Sequence, residues 1–366
     1  MIAPITNMNI KKATASFESW MSGHLTAVKP DLLYKHEQMA ESPFFFMRAT
    51  FYRWLQLWQE LCHDLSNAPV VLTVGDLHVE NFGTWRDAEG RLIWGINDFD
   101  ETCPMPYTND LIRLATSARL AIREDHLSIR PREACSVILE GYIDGIRSGG
   151  RAFVLGEEHI YLRDVARSSL RDPVHFWKNM RSMPDLKTKP AADETEALEA
   201  LLPEQGISYG VKARRAGLGS LGRRRLVAMA DWRGSFVARE IKAALPSAAV
   251  WAGQEESERL RYMDILTQAV RVPDPFVRIV GKWIVRRLAP DCSRIELAQL
   301  PKERDEARIL HAMGRETANV HLGSKSQIAL IRQDLKKRKQ DWLHESTKTM
   351  TNALMDDWKS WRGKVK

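Results

Sequence analysis

The chain has 366 residues, of which 44% are hydrophobic and 28% charged, and its formal net charge is +7. These values are ordinary for a globular protein, leave room for two domains or one two-lobed domain, and argue against a disordered chain. No apolar run is long enough to span a bilayer, and the first residues lack the apolar core of a signal peptide, so we expect a cytoplasmic protein. The four cysteines show no C-x-x-C spacing, which argues against zinc.

The first part of the sequence predicts helices. A short helix is expected over residues 13–22, and a longer one from Pro43 to about residue 65, since proline suits the first turn of a helix. Arg48 and Arg53 lie near the start of the longer helix. Either arginine could pair with a carboxylate of a neighbouring loop or simply face solvent.

Two polar loops each follow a short apolar strand. The β-branched run at residues 69–74 predicts a buried strand, and Gly75-Asp-Leu-His-Val-Glu-Asn-Phe-Gly83 comes directly after it. A second strand is expected at residues 91–96, followed by Asn97-Asp-Phe-Asp-Glu101. Clustered carboxylate and amide oxygens suit Mg²⁺, so the candidate metal ligands are Asn81, Asp98 and Asp100.

The spacing of these polar residues is more informative than their number. Asp76 and Asn81 form a D-x-x-x-x-N pattern, and Asp98 follows on the next strand. In kinases such an aspartate accepts a hydroxyl proton, while the asparagine and a second aspartate hold the metal that bridges the nucleotide phosphates. Aspartate and asparagine are also common turn residues, so either loop alone would be weak evidence. The two loops together favour a catalytic function.

The next segments are expected to be mainly helical. Residues 111–123 carry apolar side chains at helical spacing, and Asp110 is expected to cap this helix. Further helices are predicted near residues 131–148 and 157–180. The polar stretch 187–196 predicts a linker or a surface loop.

A glycine-rich loop precedes a predicted β-hairpin. The glycines of Gly217-Leu-Gly219-Ser-Leu-Gly222 are spaced G-x-G-x-x-G, and strands are expected at residues 226–230 and 235–242. A dinucleotide-binding motif would need a following helix, so this interpretation is rejected. A glycine loop that closes a hairpin before a strand ending in a lysine is the arrangement that kinases place over ATP phosphates. The predicted nucleotide-binding residues are therefore Gly217, Gly219, Ser220, Gly222 and Lys242.

The remaining segments predict one more hairpin and several helices. Residues 254–269 are expected to form a helix, a hairpin should follow at residues 276–286, and the chain from about residue 302 should be helical. One glutamate of the first predicted helix is expected to hold Lys242, and the sequence does not choose between them: Glu255, Glu256 and Glu258. The basic run at residues 336–339 lacks a nucleic-acid-binding motif, so nucleic acid is an unlikely partner.

At these motifs the sequence resembles a bacterial family known as domain of unknown function 2252. The loops also resemble those of the aminoglycoside-phosphotransferase branch of protein-kinase-like enzymes. That resemblance implies ATP and Mg²⁺ as cofactors, Asp76 as the catalytic base, Asn81 and Asp98 as metal ligands, and Lys242 as the phosphate-binding lysine. Gly75 replaces the arginine of the protein-kinase catalytic loop, and Asp100 replaces the glycine of the D-F-G pattern.

If the fold is kinase-like, as the resemblance implies, the chain is circularly permuted, because the catalytic and metal loops precede the glycine loop. We expect an α+β, two-lobed, protein-kinase-like structure in three parts. Residues 1–200 should form a large, mainly helical lobe, residues 201–292 a small β-rich nucleotide-binding lobe, and residues 293–366 helices that pack on the large lobe. Site geometry does not depend on chain order, so a permuted kinase is physically acceptable.

The predicted function is an ATP- and Mg²⁺-dependent phosphotransferase that acts on a hydroxyl of an unknown small molecule or protein. One alternative is a metal-dependent phosphoesterase, because Asp76 and His78 resemble the opening of a calcineurin-like signature, although the later blocks of that signature are absent. A second alternative is a non-catalytic nucleotide-binding regulator. Nucleotidyl transfer, the acceptor and the oligomeric state are left open by the sequence.

Overall fold

The computed structural model describes residues 8–156, 158–163, 172–292 and 305–363. Its architecture is mixed α+β, as the sequence predicts, with helices in most of the first 150 residues and a five-stranded antiparallel sheet in the second half. No helix in these ranges is long and apolar enough to cross a membrane. The predicted boundary at residue 293 and part of the predicted helix near 157–180 lie outside the described residues.

Four helices begin the fold: α1 (Ile10–His24), α2 (Lys29–Glu41), α3 (Pro43–Ala49) and α4 (Phe51–Leu61). The Ser42 side chain caps α3 by accepting a hydrogen bond from the backbone N–H of Phe45, and Pro43 lies in the first turn as predicted. The single helix expected from residue 43 to 65 is wrong, because the chain breaks at Thr50. The Thr50 hydroxyl donates to the carbonyl of Phe46, and its backbone leaves the helical region.

Each of the two polar loops follows a short strand, as the sequence predicts. The strands are β1 (Val70–Thr73), β2 (Phe82–Arg86), β3 (Leu92–Ile96) and β4 (Cys103–Pro106). β2 and β3 form an antiparallel hairpin, which β5 (Phe153–Val154) extends, and β1 pairs with β4. The loop at residues 75–81 therefore follows β1, and the loop at residues 97–101 follows β3.

Helices α5 (Thr108–Arg123) and α6 (Pro131–Ser148) follow these strands, and α11 (Glu306–His321) packs closely on α6. Glycines permit the close approach of α6 and α11. A Cβ on Gly141 would lie 2.0 Å from the carbonyl oxygen of His311, and a Cβ on Gly314 would lie 2.0 Å from that of Ile138. The two helix backbones are thus in direct contact.

Replacing Gly314 by alanine is expected to destabilise the fold. The new methyl group would meet a backbone carbonyl, which cannot move without separating the helices, so we expect a loss at or above the usual overpacking range of about 1–3 kcal/mol. Urea unfolding with an unchanged slope measures this loss. The matched control is Gly23→Ala in α1, where nothing lies within 4 Å of the added Cβ. Equal urea midpoints for Gly314→Ala and the wild type would contradict the expectation.

The second half of the chain forms the five-stranded sheet after two helices, α7 (Pro173–Ser182) and α8 (Ala192–Glu199). The strand order is β6-β7-β8-β10-β9, and all neighbours are antiparallel. Both predicted hairpins are present. The strands are β6 (Gly210–Ala213), β7 (Arg225–Trp232), β8 (Ser235–Ala243), β9 (Val277–Val280) and β10 (Trp283–Leu288).

The helix expected over residues 254–269 is much shorter in the structure. Between β8 and β9 the chain forms α9 (Ala248–Trp251) and α10 (Tyr262–Gln268). In the stretch before α10, the Glu255 carboxylate accepts a hydrogen bond from the backbone N–H of Ser257, at 2.9 Å. Such local side-chain bonds compete with the helical pattern.

Of the final helices, α12 (Ile328–Lys337) packs on α6, and α13 (Trp342–Arg362) packs on the N-terminal helices. Arg53 of α4 forms an ion pair with Asp357 of α13, at 2.6 Å. The indole N–H of Trp361 donates to the carbonyl of His36. Trp342 and Trp361 are buried.

Candidate functional site

A cavity of about 190 Å³ lies between the helical part of the protein and the five-stranded sheet. Three loops contribute to its wall: the loop after β1 (residues 75–81), the loop after β3 (residues 97–101) and the glycine loop between β6 and β7 (residues 214–224). The structure brings most of the predicted site residues into this wall: Asp76, Asn81, Asp98, Asp100, Gly217, Gly219 and Ser220. Gly222 is not part of the wall and packs against Leu32, and Lys242 lies behind Asp100.

The loop after β1 is anchored by the fully buried Asp110. Its carboxylate accepts hydrogen bonds from the backbone N–H groups of Val74, at 2.7 Å, and Gly75, at 3.0 Å. His321 lies 3.0 Å from the same carboxylate, and its other ring nitrogen contacts the hydroxyl of Tyr142. The predicted capping role of Asp110 is therefore wrong, because Asp110 lies inside α5 and its oxygens accept hydrogen bonds from the loop after β1.

Only glycine fits at position 75, because of both the backbone conformation and the space available for a side chain. Its φ angle is +82°, and a Cβ at this position would lie 2.3 Å from the carbonyl oxygen of Glu101. The loops after β1 and β3 therefore touch through their backbones. This contact explains why position 75 requires a glycine.

Asp76 is held from one side by Arg113 of α5. The Arg113 guanidinium donates to Oδ1 of Asp76 through Nε, at 2.9 Å, and through Nη2. Arg113 is fully buried and lies against the rings of Phe51 and Trp54. The other oxygen, Oδ2, lies 3.3 Å from the position that a Cβ would take at Gly219. One carboxylate oxygen is thus fixed, and the other faces the glycine loop.

Two of the predicted metal ligands present buried oxygens that accept no hydrogen bond from the described residues: Oδ1 of Asn81 and Oδ1 of Asp98. The amide nitrogen of Asn81 donates to the Asp76 carbonyl, at 2.9 Å, which fixes the orientation of the amide. Burial and repulsion by Asp100 raise the pKa of Asp98, against the effect of Lys242. A buried oxygen without a donor is costly, so such a pair is expected where a ligand supplies the partner.

Lys242 of β8 pairs with the loop after β3. Its Nζ lies 2.6 Å from Oδ1 of Asp100 and 3.8 Å from Oδ1 of Asp98. Arg223 also contacts Asp100, at 3.3 Å. Burial alone would raise the pKa of Asp100, but Lys242 and Arg223 hold it well below its ordinary value. Asp100 is predicted as a metal ligand, but in the structure its carboxylate is paired with two positively charged side chains.

The expected pairing of Lys242 with a glutamate from residues 254–269 is wrong. In the structure Glu255 pairs with Arg261, and Glu258 pairs with His24. The short α10 begins only after these glutamates, so no helix carries them towards β8. Lys242 pairs instead with the carboxylates of the loop after β3.

Two further contacts support the loop after β1. Arg48 pairs with Glu80, at 2.5 Å, which is the loop-pairing alternative considered for this arginine. The Nδ1 atom of His78 accepts a hydrogen bond from the backbone N–H of Glu80, at 3.2 Å.

Among the described residues, no group of three or more histidine, cysteine, aspartate or glutamate side chains is arranged to hold a metal ion.

Lys35 of α2 is a site residue that the sequence analysis missed. Its side chain is buried in the cavity wall, 3.5 Å from the carbonyl of Gly219 and beside the ring of Tyr52. Burial lowers the pKa of Lys35 to about 8. Arg113 and Arg223 were missed as well. Of these missed residues, only Arg113 could have been recognised from the sequence, because it is a charged residue within a predicted buried helix.

Comparison with known families covers only part of this site. Residues 28–172 match a family described as "Uncharacterized protein conserved in bacteria (DUF2252)". The match confirms the predicted resemblance for this segment, which contains Asp76, Asn81, Asp98 and Asp100. The glycine loop and Lys242 lie beyond the matched residues. No curated protein and no solved structure matches the chain.

Proposed function

We propose that the protein is an ATP- and Mg²⁺-dependent phosphotransferase that acts on a hydroxyl group. The observation that carries this proposal is the pair of buried oxygens without hydrogen-bond donors, on Asn81 and Asp98, beside Lys242. Two hard oxygens and one ammonium group are the ligands that metal-bound phosphates require. A cytoplasmic location, where ATP and Mg²⁺ are available, is part of the same proposal.

The residues present suit a magnesium ion. Mg²⁺ is commonly held by one or two protein oxygens, with phosphates and water completing its coordination, so Asn81 and Asp98 are sufficient protein ligands. Bound Mg²⁺ would neutralise phosphate charge and lower the barrier to attack. Asp100 contributes by fixing the Lys242 ammonium next to the metal ligands.

Asp76 is the proposed general base. Arg113 holds its Oδ1 atom, and Oδ2 faces the space under Gly219 where an acceptor hydroxyl would have to enter. In the proposed reaction the acceptor oxygen forms a bond to the γ-phosphorus of ATP, and the bond to the bridging oxygen of the ADP leaving group breaks. The hydroxyl proton passes to Asp76.

A permuted kinase-like arrangement is proposed for the fold. Its support is the order of elements in the five-stranded sheet: a glycine loop joins the first two strands, and the lysine lies on the third, as in protein kinases. The loops with Asp76 and Asp98 come earlier in the chain and meet this sheet at the cavity. The phosphoesterase alternative is less favoured, because Nδ1 of His78 is already used within its own loop.

Calorimetry of ATP binding tests the proposal. We expect wild-type protein to bind ATP in the presence of Mg²⁺, and both Lys242→Ala and Asp98→Ala to weaken binding by about tenfold to a hundredfold. Because Asp98 would act through the metal, its substitution should not weaken the residual binding measured with a chelator present.

The control for the lysine variant is Lys282→Ala, which removes an exposed lysine between β9 and β10. This variant should bind ATP like the wild type. If wild-type protein has no measurable affinity for ATP with Mg²⁺ present, the proposed function is wrong.

A further inference from the structure

A second charged cluster lies on the sheet face that lines the cavity, and it is centred on Glu240 of β8. This carboxylate is fully buried and accepts hydrogen bonds from three arginines on three other segments. The Nη1 atom of Arg225 and the Nε atom of Arg286 each donate to Oε1, at 2.7 Å. Arg214, which follows β6, donates to Oε2. We call Glu240 and these arginines the arginine cluster.

The arginine cluster carries more positive charge than its own carboxylate offsets. Burial alone would raise the pKa of Glu240, yet the three guanidiniums hold it well below its usual range, so the carboxylate is ionised. One negative charge then faces three positive charges, on side chains that are only 4% to 28% exposed. Asp98 interacts electrostatically with Arg286, and Asp100 with Arg225, which offsets part of this charge. The excess of basic over acidic side chains that remains around the cavity favours an anionic ligand.

The cavity gives such a ligand access to the arginines. All three arginines line the cavity, whereas Glu240 does not. Eight of the lining side chains are lysine or arginine, and six are aspartate or glutamate. The glutamate therefore orients the guanidiniums from behind, and donor groups of the arginines face the cavity.

The strand register places the arginine cluster in line with Lys242. Lys242 lies opposite Arg225 of β7, and Glu240 lies opposite Arg286 of β10. Residues 240 and 242 point to the same face of β8 and are separated by about 7 Å. The arginine cluster is therefore next to the lysine of the proposed nucleotide site. Arg225 also donates to the hydroxyl of Ser220, at 2.8 Å, which connects the cluster to the glycine loop.

We propose that Arg214, Arg225 and Arg286 form a polyphosphate subsite, in which a chain of phosphates lies in the cavity against these three guanidiniums. Planar guanidiniums suit this ligand because each can donate two parallel hydrogen bonds to a phosphate. The inference rests on the proposed function in that a nucleotide would be one source of the phosphate chain. Inorganic polyphosphate carries the same chemistry and is the other source.

Calorimetry with inorganic tripolyphosphate in the presence of a chelator tests the subsite without metal. Wild-type protein should bind tripolyphosphate, and Arg214→Gln and Arg286→Gln should each weaken binding by about tenfold or more. The matched control is Arg278→Gln, which removes an exposed arginine from β9 of the same sheet. Folding of each variant is checked by its thermal unfolding midpoint.

Two further ligands, ATP and adenosine, identify the source of the phosphate chain. ATP that competes with tripolyphosphate, and adenosine that does not, would show that a nucleotide uses the subsite through its phosphates. Tripolyphosphate binding that ATP fails to displace would assign the subsite to inorganic polyphosphate.

Two results would overturn the subsite. One is a wild-type protein that does not bind tripolyphosphate, and this measurement needs no variant. The other is a pair of folded arginine variants that bind tripolyphosphate like the wild type, which would make the cluster purely structural. Failure of the proposed function is separate, since it would appear as absent phosphoryl transfer or as absent Mg²⁺-dependent binding at Asp98 and Lys242.

Discussion

Replacing Asp76 by asparagine is expected to abolish phosphoryl transfer while leaving Mg²⁺-dependent ATP binding nearly unchanged. Asparagine has the same shape and keeps an oxygen for the hydrogen bonds from Arg113, so the loop after β1 should stay in place. It cannot accept the hydroxyl proton. General-base catalysis contributes about 10²–10⁴-fold in rate, and we expect a loss of that size. Single-turnover transfer assays and calorimetry on the same protein measure both quantities.

The same variant separates the two enzyme classes. Asp231→Asn, at an exposed position on β7, is the matched control and should keep full activity. If the protein is instead a phosphoesterase that uses Asp76 as a metal ligand, the substitution should reduce metal affinity before it affects any other property. Loss of metal binding in Asp76→Asn, together with the same loss in His78→Ala, would replace the phosphotransferase proposal by the phosphoesterase.

Replacing Asp110 by alanine is expected to cause the largest loss of stability among single substitutions near the site. The change would leave the N–H groups of Val74 and Gly75 and the facing nitrogen of His321 buried without an acceptor. Removing one partner of a buried charged group commonly costs about 3–5 kcal/mol. Urea unfolding measures the loss, and transfer activity should fall as well, because the loop that carries Asp76 loses its anchor.

A surface aspartate provides the comparison for Asp110. Asp356 of α13 is exposed and pairs with Lys359 one turn further along the helix. Exposed pairs contribute only about 0–1 kcal/mol, so Asp356→Ala should unfold close to the wild type. If Asp110→Ala were as stable as Asp356→Ala, the anchoring role of Asp110 would be refuted.

The strands and polar loops could be predicted from the sequence because their signals are local. A β-branched run followed by a glycine predicted β1 and the loop after it, and two apolar runs around Gly234 predicted the hairpin of β7 and β8. The position of Lys242 near the end of a strand followed from the second of these runs. These features depend on neighbours within a few residues, so local sequence patterns are sufficient to predict them.

The partners of the site residues could not be predicted in the same way. Arg113 meets Asp76 across 37 positions of sequence, and Lys242 meets Asp100 across 142. Such pairs depend on how helices and sheet pack, which residue spacing does not reveal. The glutamates of residues 254–269 illustrate the problem, since a kinase analogy assigned them to Lys242 while local hydrogen bonds ended the expected helix.

The direct contact between α6 and α11 has a consequence for the order of folding. The chain leaves α6 at Ser148 and returns at Glu306, so this contact closes a loop of about 160 residues, at an entropic cost of roughly 4–5 kcal/mol. Prior folding of the intervening sheet shortens that loop, which makes the helix contact a late event. Gly314→Ala should therefore accelerate unfolding and leave the refolding rate nearly unchanged.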